Sequence, residues 1–190
     1  MRIVAGTARG RRLAVPPGTD IRPTSDRVRQ AVFNILEHGS WAPELDGVRV
    51  IDLFAGSGAL GFEAMSRGAG FCLFVETDDA ARGAIRENAE AFGVTGSVRV
   101  HRRSAVDLGE RPASVGPAFD LAFLDPPYHK GLGELALAGL LAGGWLKPDA
   151  VVMLERGSGE PEIETPGYER LDARDYGAAR VLFLKVAEVA

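Results

Sequence analysis

Residues 48–68 read VRVIDLFAGSGALGFEAMSRG. A short β-branched run ends in an aspartate, a glycine-rich turn follows, and an amphipathic stretch begins at once. That order is a strand, a tight loop and a helix, the opening unit of an open α/β sheet. The same alternation continues downstream. FCLFVE (71–76), VRVHR (98–102), FDLAFLD (119–125) and AVVMLE (150–155) are further short apolar runs, with helical spacing near 59–67, 79–92 and 132–142. Strands separated by helices predict βαβ units and a mostly parallel sheet covered on both faces. The tail YERLDARDYGAARVLFLKV (168–186) holds two more strand-like runs joined at DYGAA, which reads as a terminal hairpin with one antiparallel strand.

Upstream of residue 48 the pattern differs. RIVAGTARGRRLAV (2–15) alternates around a glycine-rich centre and predicts a small β-hairpin, followed by the loop PPGTDIRP (16–23). A helix then starts behind Thr24 or Ser25, with Val28, Ala31, Val32, Ile35 and Leu36 as its core stripe, and ends at His38 and Gly39. This divides the chain into a hairpin and linker over 1–23 and a main domain over 24–190, a reasonable length for one sizeable core. SGEPEIETPG (158–167) reads as a surface loop.

Charge is unevenly distributed. The chain carries a formal −4, yet residues 1–38 hold seven arginines against three acids, a local +4 that leaves −8 for the rest. With only three lysines in the whole chain, part of this is a general arginine bias. A flexible arginine-rich front end on an acidic body nevertheless suits a polyanion, because guanidinium groups grip phosphate bidentately and stack on bases. No stretch is long and apolar enough to span a membrane and the first residues lack a secretory apolar core, so a cytoplasmic address is expected. The single cysteine, Cys72, lies inside an apolar run and is read as core.

Gly56, Gly58 and Gly61 spell G-x-G-x-x-G, and Glu76 ends the next strand 20 residues after Gly56. That spacing fits a nicotinamide dinucleotide or another adenosine cofactor, the acid gripping a ribose hydroxyl. Asp52 weighs between them. A carboxylate ~4 Å from a pyrophosphate is repelled by ~4 kcal/mol at an effective dielectric of ~20. S-adenosylmethionine carries no phosphate, and its ammonium would be attracted. The residues therefore favour S-adenosylmethionine, with NAD still open.

LDPPY (124–128) is the second decisive stretch. Asp125 ends a strand on the side where open α/β sheets bind ligands, and the following proline keeps it extended. Pro126 and Pro127 stiffen the turn and lack N–H groups. The Asp125 carboxylate and the Pro126 carbonyl then offer two acceptors beside the Tyr128 ring. A planar aryl amine fits: both hydrogens are accepted, the ring stacks, and the nitrogen lone pair is left to attack a methyl group. His129 is read as a solvated loop residue.

DLFAGSGALG followed by DPPY resembles the methyltransferases that act on exocyclic amines of nucleobases. GTARGRRL (6–13) with RPTSDRVRQAVFNIL (22–36) and the YG before the last strand are similar to the RsmD family. The resemblance implies a Rossmann-like S-adenosylmethionine-dependent methyltransferase fold with a seven-stranded sheet. It implies methyl transfer to the exocyclic N2 of a guanine in 16S ribosomal RNA, within a small subunit or its assembly intermediate, with no metal and no membrane. Carried over by position, Asp52, Ala55, Gly56 and Gly58 would line the methionine side of the cofactor, Phe54 and Ser57 would also bind it, Glu76 would hold its ribose, and Thr24 would touch it from the closing 22–34 segment. Asp125, Pro126, Pro127 and Tyr128 would position the guanine amine. Arg2, Arg9, Arg11, Arg12 and Arg22 would meet RNA. Related enzymes often have Asp or Asn after the third strand to take the adenine amine. This chain reads RRSAVDL (102–108), so Ser104 and the backbone of Ala105 stand in that place. DNA adenine-N6 methylation and a non-catalytic role in small-subunit assembly are the alternatives.

Overall fold

The computed structural model describes residues 1–18 and 25–188. Helix α1 (Asp26–His38) precedes β1 (Arg49–Leu53), α2 (Ala59–Ser66), β2 (Phe71–Val75), α3 (Asp79–Phe92) and β3 (Val98–His101). The second half runs β4 (Phe119–Leu124), α4 (Leu132–Ala142), β5 (Leu146–Gly157), β6 (Tyr168–Tyr176) and β7 (Ala179–Val186). These form one seven-stranded sheet in the order β3-β2-β1-β4-β5-β7-β6. The first five strands pair in parallel. β7 inserts antiparallel between β5 and β6, as the terminal hairpin requires.

The order places a reversal between β1 and β4. From β1 the chain winds outward through β2 to β3, then returns to β4 and winds the other way, so the connections leaving β1 and β4 diverge and open a crevice above their carboxyl ends. Apolar residues alternate across the sheet: Val50, Phe74, Phe123 and Met153 pack beneath α1, α2 and α3, while Ile51, Leu73, Ala122 and Val152 face α4 and Trp145. Buried Cys72 belongs to the first layer.

Ser25 caps α1, its Oγ accepting the Val28 N–H at 3.1 Å, and Gly39 closes the helix on the Ile35 carbonyl. The buried face is Val28, Arg29, Val32, Phe33 and Leu36, turned away from the Ala31 and Ile35 of the expected stripe, both only half-buried. An arginine can sit inside because a carboxylate meets it. Arg29 Nε lies 3.3 Å from Glu63 on α2, with both side chains wholly buried. Glu63 also pairs with Arg67 at 2.9 Å.

The same carboxylate corrects the picture of a loose front arm. Glu63 accepts the backbone N–H groups of Val4 at 2.9 Å and Ala5 at 3.0 Å. Ile3 and Leu13 are buried in the main core. The two arms meet at the Arg2–Arg12 bridge and bond across from Ile3 N to the Arg11 carbonyl and from Gly10 N to the Ile3 carbonyl, while the backbone of Val4, Ala5, Thr7 and Ala8 bonds α2. Gly6, at φ +83°, lies so close to the Ser66 carbonyl that a Cβ would stand 1.9 Å from that oxygen. The front end is a docked hairpin with its tip fixed against α2.

Candidate active site

A cleft of about 740 Å³ lies over the carboxyl ends of β1, β2 and β4. Register sets its floor. Val75, Leu53, Leu124 and Leu154 occupy one rung across β2, β1, β4 and β5. The next residue on each strand is Glu76, Phe54, Asp125 and Glu155, all four on the cleft wall. With neighbouring strands ~4.8 Å apart, three carboxylates are thus spread along one row, Glu76 at one end, Glu155 at the other and Asp125 beside Glu155.

The glycine loop is held by these acids. Gly56, at φ +57°, donates its N–H to Glu76 Oε2 at 2.8 Å, and Asp78 N donates to Glu76 Oε1 at 2.9 Å. Asp52 is buried, and its Oδ2 accepts the Gly61 N–H at 3.0 Å in the first turns of α2. Burial pushes the Asp52 carboxyl well above the usual carboxylate range; the Gly61 N–H opposes this, and the charges of Asp125 and Glu76 add to it. Phe54, just past β1, is a non-glycine residue at φ +57° and the cleft's own strained backbone position.

Across the cleft, Asp125 and half-buried Tyr128 stand either side of buried Pro126 and exposed Pro127. The Tyr128 hydroxyl donates to Glu155 Oε1. Its ring lies against the backbone of Gly157, where a Cβ would come within 3.2 Å of Cδ2. Behind it, Glu160 Oε1 accepts the N–H groups of His129 at 2.9 Å and Gly157 at 3.0 Å. Although burial opposes it, these donors and Arg156 hold the Glu160 carboxyl below its ordinary range. His129 itself is exposed, at φ +62°. The turn leaving β4 is therefore held at its Tyr128–His129 end.

Of the expected cofactor residues, Asp52, Phe54, Ala55, Gly56, Ser57, Glu76, Ser104 and Ala105 line the cleft together with all four residues of Asp125–Tyr128. Gly58 is not among the residues lining the cleft: it caps α2 at φ +84°, and a Cβ there would meet Phe62 at 2.8 Å. Thr24 and Arg22 lie outside the described residues. No described residue of α1 lines the cleft, and residues 22–24 of the expected closing segment lie outside the described residues. Arg2 is exposed but donates to the Gly10 carbonyl, and Arg11 is spent on the Ala91 carbonyl and the Phe92 ring. Arg9 and Arg12 are exposed and make no ion pair among the described residues.

Met1, Arg103 and Glu155 line the cleft without having been expected there. Met1 reaches it because its Sδ meets the Ser57 hydroxyl, a contact made only by tertiary packing. Glu155 had a signal in the sequence: it ends AVVMLE as Asp125 ends FDLAFLD. Counting side chains, the wall carries Asp52, Glu76, Asp78, Asp125 and Glu155 against Arg103 alone. Such a wall suits a cationic ligand and disfavours polyphosphate.

A protein-family model described as "Conserved hypothetical protein 95" matches residues 1–185. "Ribosomal RNA small subunit methyltransferase D" of Haemophilus influenzae is 36% identical over 178 residues, spanning 93% of this chain and 89% of that protein. The chain belongs to the RsmD family. The Escherichia coli K12 protein of the same name is 37% identical over 155 residues, 82% of this chain and 74% of that protein. The solved structure of the E. coli protein yhhF superposes on this RsmD-family chain with a TM-score of 0.83 at 31% identity, covering 98% of this chain and 97% of that one. HI0767 of H. influenzae gives 0.79 at 32% identity, covering 98% of each. The fold of this RsmD-family chain is the Rossmann-like methyltransferase fold.

Proposed function

We propose that the protein transfers a methyl group from S-adenosylmethionine to the exocyclic N2 amine of a guanine in 16S small-subunit ribosomal RNA. The observation that carries this reading is the row Glu76, Phe54, Asp125, Glu155 within an acidic wall. Relatives named as small-subunit ribosomal RNA methyltransferases support the RNA substrate.

The wall fits S-adenosylmethionine by its chemistry. Asp52 meets an ammonium, Glu76 has acceptor capacity beyond its two backbone donors for ribose hydroxyls, and Ala81, Ala105 and Val106 offer an apolar seat for adenine beside Ser104. The five acids argue against NAD, whose pyrophosphate would meet them. When bound, S-adenosylmethionine supplies a methyl carbon made electrophilic by the sulfonium.

The chain's own residues do the rest. Asp125 and the Pro126 carbonyl accept the two amine hydrogens and leave the nitrogen lone pair pointing toward the Asp52 side. Tyr128 stacks on the base, its ring held in place by Glu155 and Gly157. As the amine gains positive charge, acceptors already positioned stabilise it without reorganising. A guanine amine inside a helix cannot reach this cleft, so the target is a loop nucleotide or a flipped one. Arg9 and Arg12 are placed to hold RNA backbone, and the protein works in the cytoplasm beside assembling subunits.

Labelled methyl transfer from S-adenosylmethionine to small-subunit RNA, assembled small subunits and duplex DNA tests the reading. Transfer to an RNA substrate, lost in Asp125→Ala with RNA binding retained, is the expected result. Transfer to DNA alone, or none to any acceptor, overturns it.

A further inference from the structure

The row of strand ends contains a carboxylate, Glu155, that steadies Tyr128 but exchanges no atom in methyl transfer. Glu155 follows Leu154 as Asp125 follows Leu124, and Leu124 pairs with Leu154. The two carboxylates therefore leave adjacent strands at the same level, about 5 Å apart at the backbone. Glu155 lies on the far side of Asp125 from Glu76, which on the proposed reading is away from the cofactor end. It is buried to 5% exposure yet lines the cleft. Its Oε1 accepts the Tyr128 hydroxyl, which fixes it relative to the ring that stacks the base. About four acceptor sites per carboxylate allow more than one donor at once.

What such a group reads follows from base chemistry. In guanine the exocyclic amine is flanked on one side by N1–H, a donor. In adenine and cytosine the ring nitrogen next to the amine carries a lone pair and accepts instead. An acceptor-only carboxylate one step from the amine site would bond guanine N1–H and would repel the lone pair of the other two. We propose that Glu155 is the base-specificity determinant, accepting guanine N1–H while Asp125 and the Pro126 carbonyl hold the amine. This rests on the reading of the protein as a guanine-N2 methyltransferase and explains how the site tells guanine from adenine.

The role separates from mere support of Tyr128. Loss of support slows every base alike; loss of readout changes the ratio between bases. The probe is 2-aminopurine, which keeps the C2 amine but presents a lone pair at N1. Once the modified guanine is mapped, small-subunit RNA is assembled by ligation with guanine or 2-aminopurine at that position. Wild-type enzyme is expected to favour guanine in kcat/KM by about 100-fold or more, since a site built around a donor rejects analogues lacking it. Glu155→Gln, whose amide can also donate, is expected to bring that ratio within about tenfold, and intrinsic amine reactivity cancels in the comparison. An unchanged ratio in folded Glu155→Gln overturns the inference while leaving guanine methylation standing. Equal wild-type rates on the two bases overturn it without any variant. No wild-type transfer to guanine overturns the proposed function as well.

Discussion

Asp52 at the end of β1 accepts the N–H of Gly61 at 3.0 Å, so a buried carboxylate anchors the helix that follows the glycine loop. One acceptor bond does not offset burial, and the acid remains displaced toward its protonated form by its surroundings and by Asp125 and Glu76. The site stores an acid that a cationic ligand would ionise.

The first prediction concerns pH. In the free protein Asp52 holds its proton above the ordinary carboxylate range. Its contribution to stability is thus fully present at low pH and declines as pH rises through the folded value. Ligand binding goes the other way. S-adenosylmethionine needs the charged form, so affinity is expected to rise with pH, at most about tenfold per unit, and level off once Asp52 is ionised. Calorimetry across pH, repeated in buffers of different ionisation heat, reports the proton released. Asp52→Asn should flatten the slope and weaken the plateau by about 10- to 100-fold.

Packing beneath the loop gives a second, paired prediction. At Gly61 a Cβ would stand 2.3 Å from Phe74 Cε1 and 2.7 Å from Cys72 Sγ, both in buried β2. Gly61→Ala is expected to cost about 1–3 kcal/mol, lowering Tm by about 2–12 °C. Gly83, exposed in α3, has nothing within 4 Å of its would-be Cβ. Gly83→Ala should instead stabilise by about 0.5–1 kcal/mol through helix propensity. Thermal melts of the two variants should move in opposite directions.

Glu63 carries the third. Glu63→Gln keeps the shape but removes the buried carboxylate that Arg29 and Arg67 share, leaving them only the more exposed Asp26 and Glu37. A loss of about 3–5 kcal/mol in denaturant unfolding is expected. Hydrogen exchange should quicken at Val4 and Ala5, whose amides bond that carboxylate. A loss below about 1 kcal/mol would show that the hairpin docks by its apolar residues alone.

A fourth prediction separates the arginines. Arg9 and Arg12 are exposed, while Arg11 lies over the Phe92 ring. Replacing Arg9 and Arg12 with alanine should make log K against log salt shallower by about 0.7–0.9 for each phosphate no longer neutralised. Arg11→Ala should chiefly affect stability. Filter binding of small-subunit RNA over a salt series measures both.

Much of this was legible in the chain. VRVIDLFAGSG announced a strand, loop and helix because period-2 apolarity and glycine are local signals, and LDPPY announced a stiff strand-ending turn because its two prolines fix the backbone locally. What escaped was set by distant pairing. Arg29 counted only as one of the seven front-end arginines, because its partner Glu63 lies 34 residues away. The hairpin looked free because its anchors, Glu63 and Ser66, lie on α2. Glu155 read only as the end of a strand, since its meaning depends on β5 pairing in register with β4.

The central claim is that Asp125 and its prolines present a guanine amine for methylation. Mass analysis of nucleosides from small-subunit RNA incubated with the enzyme and isotopically labelled S-adenosylmethionine tests it most directly. N2-methylguanosine carrying the label, absent with Asp125→Ala, is the predicted product. A label found on adenine N6, or on any ring nitrogen or ribose, would contradict it.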